Sequence, residues 1–126
     1  MYLVDTNVIL EILLDQAKKK DCRTFLNSNV HQCCISDFSL HSIGVILFRY
    51  NKEQVFKNLV ADIMPQLEVL TLPRDLYGDL ADARAKFKLD FDDAYQFCLA
   101  RSYRLTVATM DADFRKAMGE IEVTFL

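Results

Sequence analysis

The stretch from Phe91 to Phe114, FDDAYQFCLARSYRLTVATMDADF, holds Asp92, Asp93, Asp111 and Asp113 and no histidine. Carboxylates gathered in one place repel each other. Two like charges about 4 Å apart cost about 4 kcal/mol at an effective dielectric near 20, and one of the pair keeps its proton to higher pH. A hard divalent cation removes that cost, and oxygen ligands with no His or Cys beside them favour Mg²⁺ or Mn²⁺ over Zn²⁺. A cation held this way can polarise a phosphate and activate a water. The same acids also have a structural use. Asp92 and Asp93 are welcome at a helix start, and Asp111 to Asp113 suit a polar turn.

Whether the two pairs meet depends on the elements between them. Phe91, Ala94, Tyr95 and Cys98 follow helical spacing, and Leu105 to Thr109 is a short apolar run rich in β-formers, so the period changes near Tyr103 and Arg104. About twelve helical residues at about 1.5 Å each carry the chain roughly 18 Å one way, and the strand brings it most of the way back. Asp93 is therefore expected near Asp111, with Asp92 and Asp113 flanking the same edge. A fifth acid joins from the other end of the chain. Tyr2, Leu3 and Val4 read as a central strand covered on both faces, Asp5 ends it, and Thr6 opens a helix with Val8, Ile9, Ile12 and Leu13 on its apolar face. A carboxylate at the carboxyl end of a central parallel strand stands where open α/β sheets place their ligands, with a helix cap as its alternative use.

The rest of the chain supplies the frame. A second helix carries Cys22, Phe25 and Leu26 inward, with Lys18, Lys19 and Lys20 on a solvated face. Gln32 to Ile35 is the next strand, and Ser36 or Asp37 caps a helix running to about Tyr50. Lys52 to Met64 reads as a helix, Glu68 to Leu72 as a strand, Arg74 to Lys88 as a helix and Glu122 to Leu126 as a last strand. This order, with one more helix before the last strand, predicts a mostly parallel sheet with helices on both faces, a three-layer α/β/α sandwich in one domain spanning 1–126.

Composition narrows the classes. At 52% hydrophobic with three Gly and two Pro, the 126 residues exclude a disordered or low-complexity chain. A net charge of −3 gives no overall basic footprint, so a nucleic-acid partner would need local cations; Arg84, Lys86 and Lys88 before the acidic helix, and Arg115 and Lys116 after it, are the candidates. Four cysteines without CxxC spacing fit a reduced, cytoplasmic setting, and no apolar run is long enough to cross a membrane. The absence of GxGxxG and GxxxxGKS removes dinucleotide and Walker-type readings, and no GxSxG elbow surrounds Ser42.

The chain resembles the PIN-domain family of metal-dependent nucleases, especially the compact VapC-type toxins of toxin–antitoxin pairs. The resemblance rests on VDTNVIL at the first strand, on FDDAYQFCLARSY followed by LTVATMDADF, and on the element order between them. It implies that Asp5, Asp93 and Asp111 form the metal site and carry catalysis, with Asp113 as a supplementary acid and with Asn7 and Thr109 supporting those acids. It further implies Mg²⁺ or Mn²⁺ as cofactor, single-stranded or loop RNA as substrate, a separate antitoxin chain as partner, and a homodimer. The family generally places a Glu in the third helix, in a pattern like ISxxTLxEL; here the stretch is ISDFSLHSIG and Ser42 stands in that place. A hydroxyl is a poorer ligand for a hard cation than a carboxylate, and Asp37 and Asp92 are the nearest substitutes.

Three function classes therefore remain in view: a metal-dependent endoribonuclease toxin, a PIN-fold protein that has lost cleavage and binds RNA or a protein, and a phosphatase with Asp5 as nucleophile. The third lacks its usual second acid, because Asn7 occupies that position.

Overall fold

In the computed structural model, which describes residues 1–126, short strands alternate with helices around one sheet. The strands are β1 (Tyr2–Val4), β2 (Cys33–Ser36), β3 (Glu68–Leu70), β4 (Thr106–Thr109) and β5 (Val123–Phe125). Their order is β3-β2-β1-β4-β5, and every neighbouring pair is parallel. Parallel neighbours need long crossovers, and helices α1 (Thr6–Leu13), α2 (Lys19–Asn29), α3 (Asp37–Arg49), α4 (Glu53–Asp62), α5 (Gly78–Phe87) and α6 (Phe91–Tyr103) provide them.

β1 takes the centre because it is apolar on both sides. Leu3 and Val4 are both fully buried and face opposite ways. Leu3 packs with Leu80, Tyr95, Phe97, Leu99 and Phe114 in a core beneath α5 and α6. Val4 packs with Ile9, Cys22, Ile35, Ile43, Leu47 and Leu59 in a second core beneath α1 to α4. The expected three-layer α/β/α sandwich results, with burial contributing about 1.5–3 kcal/mol per large apolar side chain. All four cysteines are free and buried, and burial pushes the thiols of Cys33 and Cys34 up to about 11 and about 12, so they act as small apolar groups.

Three departures from the sequence expectation stand out. Residues 74–88 are not one helix: Arg74–Leu76 is a separate 3₁₀ turn after Pro73, and α5 starts at Gly78. β3 stops at Leu70 because the Leu72 N–H leaves the ladder and donates to Tyr95 Oη at 3.0 Å. Between β4 and β5 the connection is a 3₁₀ segment, Ala112–Ala117, rather than an α-helix. The reversal expected near Arg104 is present. Arg104 adopts φ 56 at the end of α6, the left-handed conformation that usually falls to Gly, and its N–H and that of Leu105 both donate to the Ala100 carbonyl. That cap turns the chain from α6 straight into β4.

Candidate functional site

The sheet register delivers the first two groups of the site. Val4 is level with Ala108, so Asp5, one residue on, comes level with Thr109 at the carboxyl ends of the two central strands. The Asp5 N–H donates to the Ala108 carbonyl at 2.9 Å, and Thr109 Oγ1 donates to Asp5 Oδ2 at 2.7 Å. Asp5 occupies the residue before α1, yet its side chain makes no capping hydrogen bond. Its carboxylate is turned toward β4. Burial raises its pKa, the Thr109 hydroxyl and the Thr6 backbone lower it, and the charges of Asp111 and Asp92 raise it again.

The turn after β4 adds two more acids. Thr109 Oγ1 accepts from the Asp111 N–H at 2.9 Å, and Asp111 Oδ1 accepts from the Asp113 N–H at 2.9 Å, capping the 3₁₀ segment. A relay of Asp5, Thr109, Asp111 and Asp113 thus fixes the edge. Asp93, in the first turn of α6, completes it: carboxylate oxygens of Asp93, Asp111 and Asp113 all lie within 4.8 Å of one another, and those of Asp90, Asp92 and Asp93 form a second such group. Asp93 is only 7% exposed. Its pKa is pushed up to about 7, first by burial and then by the charges of Asp92, Asp111, Asp5 and Asp113. A positive guest would relieve a buried acid pressed by four others. The donor set is oxygen throughout, which fits a hard divalent cation.

Not every sequence-expected residue enters the cluster. Asp5 stands outside both close carboxylate groups, and Asn7 is exposed and makes no hydrogen bond to the acids. Ser42 is half-buried in the second turn of α3, with its hydroxyl unbonded. Asp37 is committed elsewhere: its Oδ1 accepts from Tyr95 Oη at 2.7 Å and from the Phe38 N–H at 2.8 Å. Asp92 is exposed and groups with Asp93. Of the candidate cations, Arg84 is bound to the Leu89 carbonyl and Asp90, Lys86 pairs with Glu120, and Lys116 pairs with Asp113 at 3.6 Å. Arg115 lies over the Phe125 ring at 4.6 Å, and Lys88, exposed at the end of α5, has no carboxylate partner.

A polar cluster beside the acids has no counterpart in the sequence reading. Ser39 Oγ lies 2.7 Å from Thr6 Oγ1, 3.0 Å from Ser36 Oγ and 2.5 Å from Gln96 Nε2, while Gln96 Oε1 is buried without a partner. This joins the starts of α1, α3 and α6 below the sheet edge. The signal was available, since Gln96 is a lone amide inside the apolar helix YQFCLA.

The PIN domain family model matches residues 2–120. No curated protein matches the chain. Among solved structures, the fold is similar to that of FitAcB from Neisseria gonorrhoeae, at 24% identity and a TM-score of 0.82, covering 100% of this chain and 97% of that one. It is similar to a toxin–antitoxin complex from Klebsiella pneumoniae, at 22% identity and a TM-score of 0.78, covering 98% and 96% of the two chains. It is also similar to VapBC2 from Rickettsia felis, bound there to a DNA fragment from its promoter, at 14% identity and a TM-score of 0.80, covering 99% and 98%.

Proposed function

The chain belongs to the PIN domain family, and on that premise we propose that it is a metal-dependent endoribonuclease acting in the cytoplasm as the toxin of a toxin–antitoxin pair. The observation that carries this reading is the Asp93, Asp111 and Asp113 group, three carboxylates within 4.8 Å of one another around a buried acid whose pKa is raised. Such an arrangement is stable as anions only when a cation shares it.

Asp93, Asp111 and Asp113 would hold Mg²⁺ or Mn²⁺, with Asp5 contributing from β1. When bound, the ion supplies polarisation of the scissile phosphate and a water of lowered pKa. The chain's own work is to aim these oxygens. Thr109 fixes the Asp5 carboxylate and the backbone of Asp111, and the Asp113 N–H fixes the carboxylate of Asp111. Asp92 is exposed beside the cluster, on the side from which single-stranded or looped RNA, with its bendable backbone, would approach. For the protein partner, an open apolar groove of about 860 Å³ along α3 and α4, with Val45 and Phe48 exposed, supports docking of an antitoxin segment or of a second copy.

Ser42 favours a second reading, a PIN-fold protein that binds RNA or a protein without cutting, because α3 offers a hydroxyl where the family generally has a Glu. One experiment separates the two. Single-stranded RNA is incubated with the protein in Mn²⁺, in Mg²⁺ and in EDTA, alongside Asp93→Asn and Asp111→Asn. The toxin reading expects cleavage that needs a cation and disappears in both variants. Intact RNA in every condition, together with bound RNA, would establish the binding reading instead.

A further inference from the structure

Helix α3 carries an apolar strip on the face turned away from the core. Its inward face, with Ser39, Ile43 and Leu47, is buried. On the opposite face Asp37, His41, Val45 and Phe48 recur at helical spacing, with Val45 48% and Phe48 58% exposed. Phe56 of α4 meets Phe48 edge-on at 5.9 Å, and Gly44 leaves room for that ring, since a Cβ there would come within 3.4 Å of it. Phe48 therefore stands as a supported knob near the end of α3. At the start of the same helix lies a hole, a recess of about 350 Å³ lined by Asp37, Phe38, His41, Tyr77, Phe91 and Tyr95. It shares Asp37 and His41 with the groove of about 860 Å³ along α3 and α4, so knob and hole belong to one continuous strip. The two ends are also opposite in charge. Asp37 Oδ1 is taken by Tyr95 and the Phe38 N–H, which leaves Oδ2 free, and Arg49, about 18 Å further along the helix axis, is exposed with no acid partner.

We infer that this strip is a contact between two copies of the chain, in which α3 lies antiparallel to the α3 of the second copy about a two-fold axis level with Ile43. In such a contact each residue meets the one equally far beyond the axis on the other copy. Asp37 then faces the partner's Arg49, Phe38 and its recess face the partner's Phe48, and His41 faces the partner's Val45, each pair being formed twice. Opposite charges meet at both ends, and a ring enters a ring-lined hole at both ends. That self-complementarity selects a second copy as the occupant. A helix from a different protein needs only a groove, and gives no reason for α3 to carry both halves of each match. The pairing also covers the exposed Phe48, an aromatic residue of the kind that interface cores collect. None of the clustered acids takes part, so the pairing stands independently of the ribonuclease reading.

Sedimentation equilibrium of the wild-type chain tests the pairing, and the expected mass at micromolar concentration is twice 14.6 kDa. Phe48→Glu, at an exposed position, should give a monomer with an unchanged circular-dichroism spectrum. Arg49→Glu sets acid against acid at both ends and should weaken dimerisation about tenfold. Cross-linking reads the register. All four native cysteines are buried, so His41→Cys and Val45→Cys proteins each carry one accessible thiol. Under mild oxidation a mixture of the two should form a disulfide between copies faster than either protein alone. A wild-type chain that is monomeric at every concentration overturns the pairing and leaves the groove to a separate chain. A dimer that persists with unchanged affinity in Phe48→Glu overturns it too, placing the contact elsewhere on the surface. A mixture that cross-links no faster than the single variants overturns the antiparallel register. RNA cleavage in Mn²⁺ reports on the ribonuclease reading separately from all of these.

Discussion

Thr109 and Asp5, 104 residues apart in the chain, are joined by a 2.7 Å hydrogen bond between Thr109 Oγ1 and Asp5 Oδ2. The same oxygen accepts the Asp111 N–H at 2.9 Å. One hydroxyl therefore sets the spacing between acids delivered by two different strands. Thr109→Val keeps the shape and removes both bonds, leaving polar groups without partners at a cost of about 1–3 kcal/mol. The expected result is a lower Tm and weaker Mn²⁺ binding, with Thr109→Ser recovering both. Unchanged Mn²⁺ affinity in the valine variant would show that the hydroxyl only stabilises the fold.

Asp93 carries the pH dependence. Its folded-state pKa is raised from 3.8 to about 7, so the folded protein holds a proton there that the unfolded chain has released. Between about pH 4 and pH 7 the folded state binds more protons, and stability falls as pH rises through that window. Without metal, wild type should melt lower at pH 8 than at pH 5. Asp93→Asn, which removes the charge, should raise Tm at pH 8, leave it nearly unchanged at pH 4 and abolish RNA cleavage. A drop in Tm at pH 8 would instead identify Asp93 as a structural cap of α6.

Metal should act on the same cluster with the opposite sign. A cation that binds only the folded state raises stability with its concentration. Millimolar Mn²⁺ should raise the Tm of wild type at pH 8 and broaden backbone amide NMR signals around Asp5, Asp93 and Asp111. Asp111→Asn should lose both responses. Broadening spread over the whole surface, and equal in the variant, would show that the acids bind no ion specifically.

The sequence made the edge legible because its logic is local. An apolar run, an acid and a helix cap place Asp5, and the change of period at Arg104 returns β4 beside α6. The wholly parallel direction of the strands follows from the crossovers between them, α-helical as far as β4 and a 3₁₀ segment before β5. What stayed hidden depends on contacts between distant segments. Nothing within ISDFSLHSIG says that Asp37 is taken up by Tyr95, 58 residues on, or that Ser39 meets Gln96. β3 likewise ends early because of a hydroxyl from another helix.

Gln96 offers a test of that hidden cluster. Its Oε1 is buried with no donor, and an unsatisfied buried acceptor costs about 1–3 kcal/mol. Ser39 Oγ keeps Thr6 and Ser36 as partners when the amide is removed. Gln96→Met, similar in length and without polar atoms, should therefore raise Tm by a few degrees in thermal denaturation. A lower Tm would mean that the amide is satisfied in solution and holds α3 to α6.

Ser42 offers a test of the proposed metal site. It stands in the second turn of α3, half-buried and unbonded, where the resemblance to the family leads to the expectation of a carboxylate. Asp37 does not replace that group, because its Oδ1 is occupied by Tyr95 and the Phe38 N–H. Ser42→Glu should therefore add a ligand and a charge to a cluster already short of positive partners. In the metal-free protein that charge increases the repulsion, and Tm should fall. With Mn²⁺ present the order reverses: affinity should rise about tenfold, equivalent to about 1.4 kcal/mol, and the gain in Tm on adding metal should exceed that of wild type. Isothermal titration with Mn²⁺ on both proteins makes the comparison. Equal affinities would mean that residue 42 faces away from the acids, and that Asp5, Asp93, Asp111 and Asp113 form the complete ligand set.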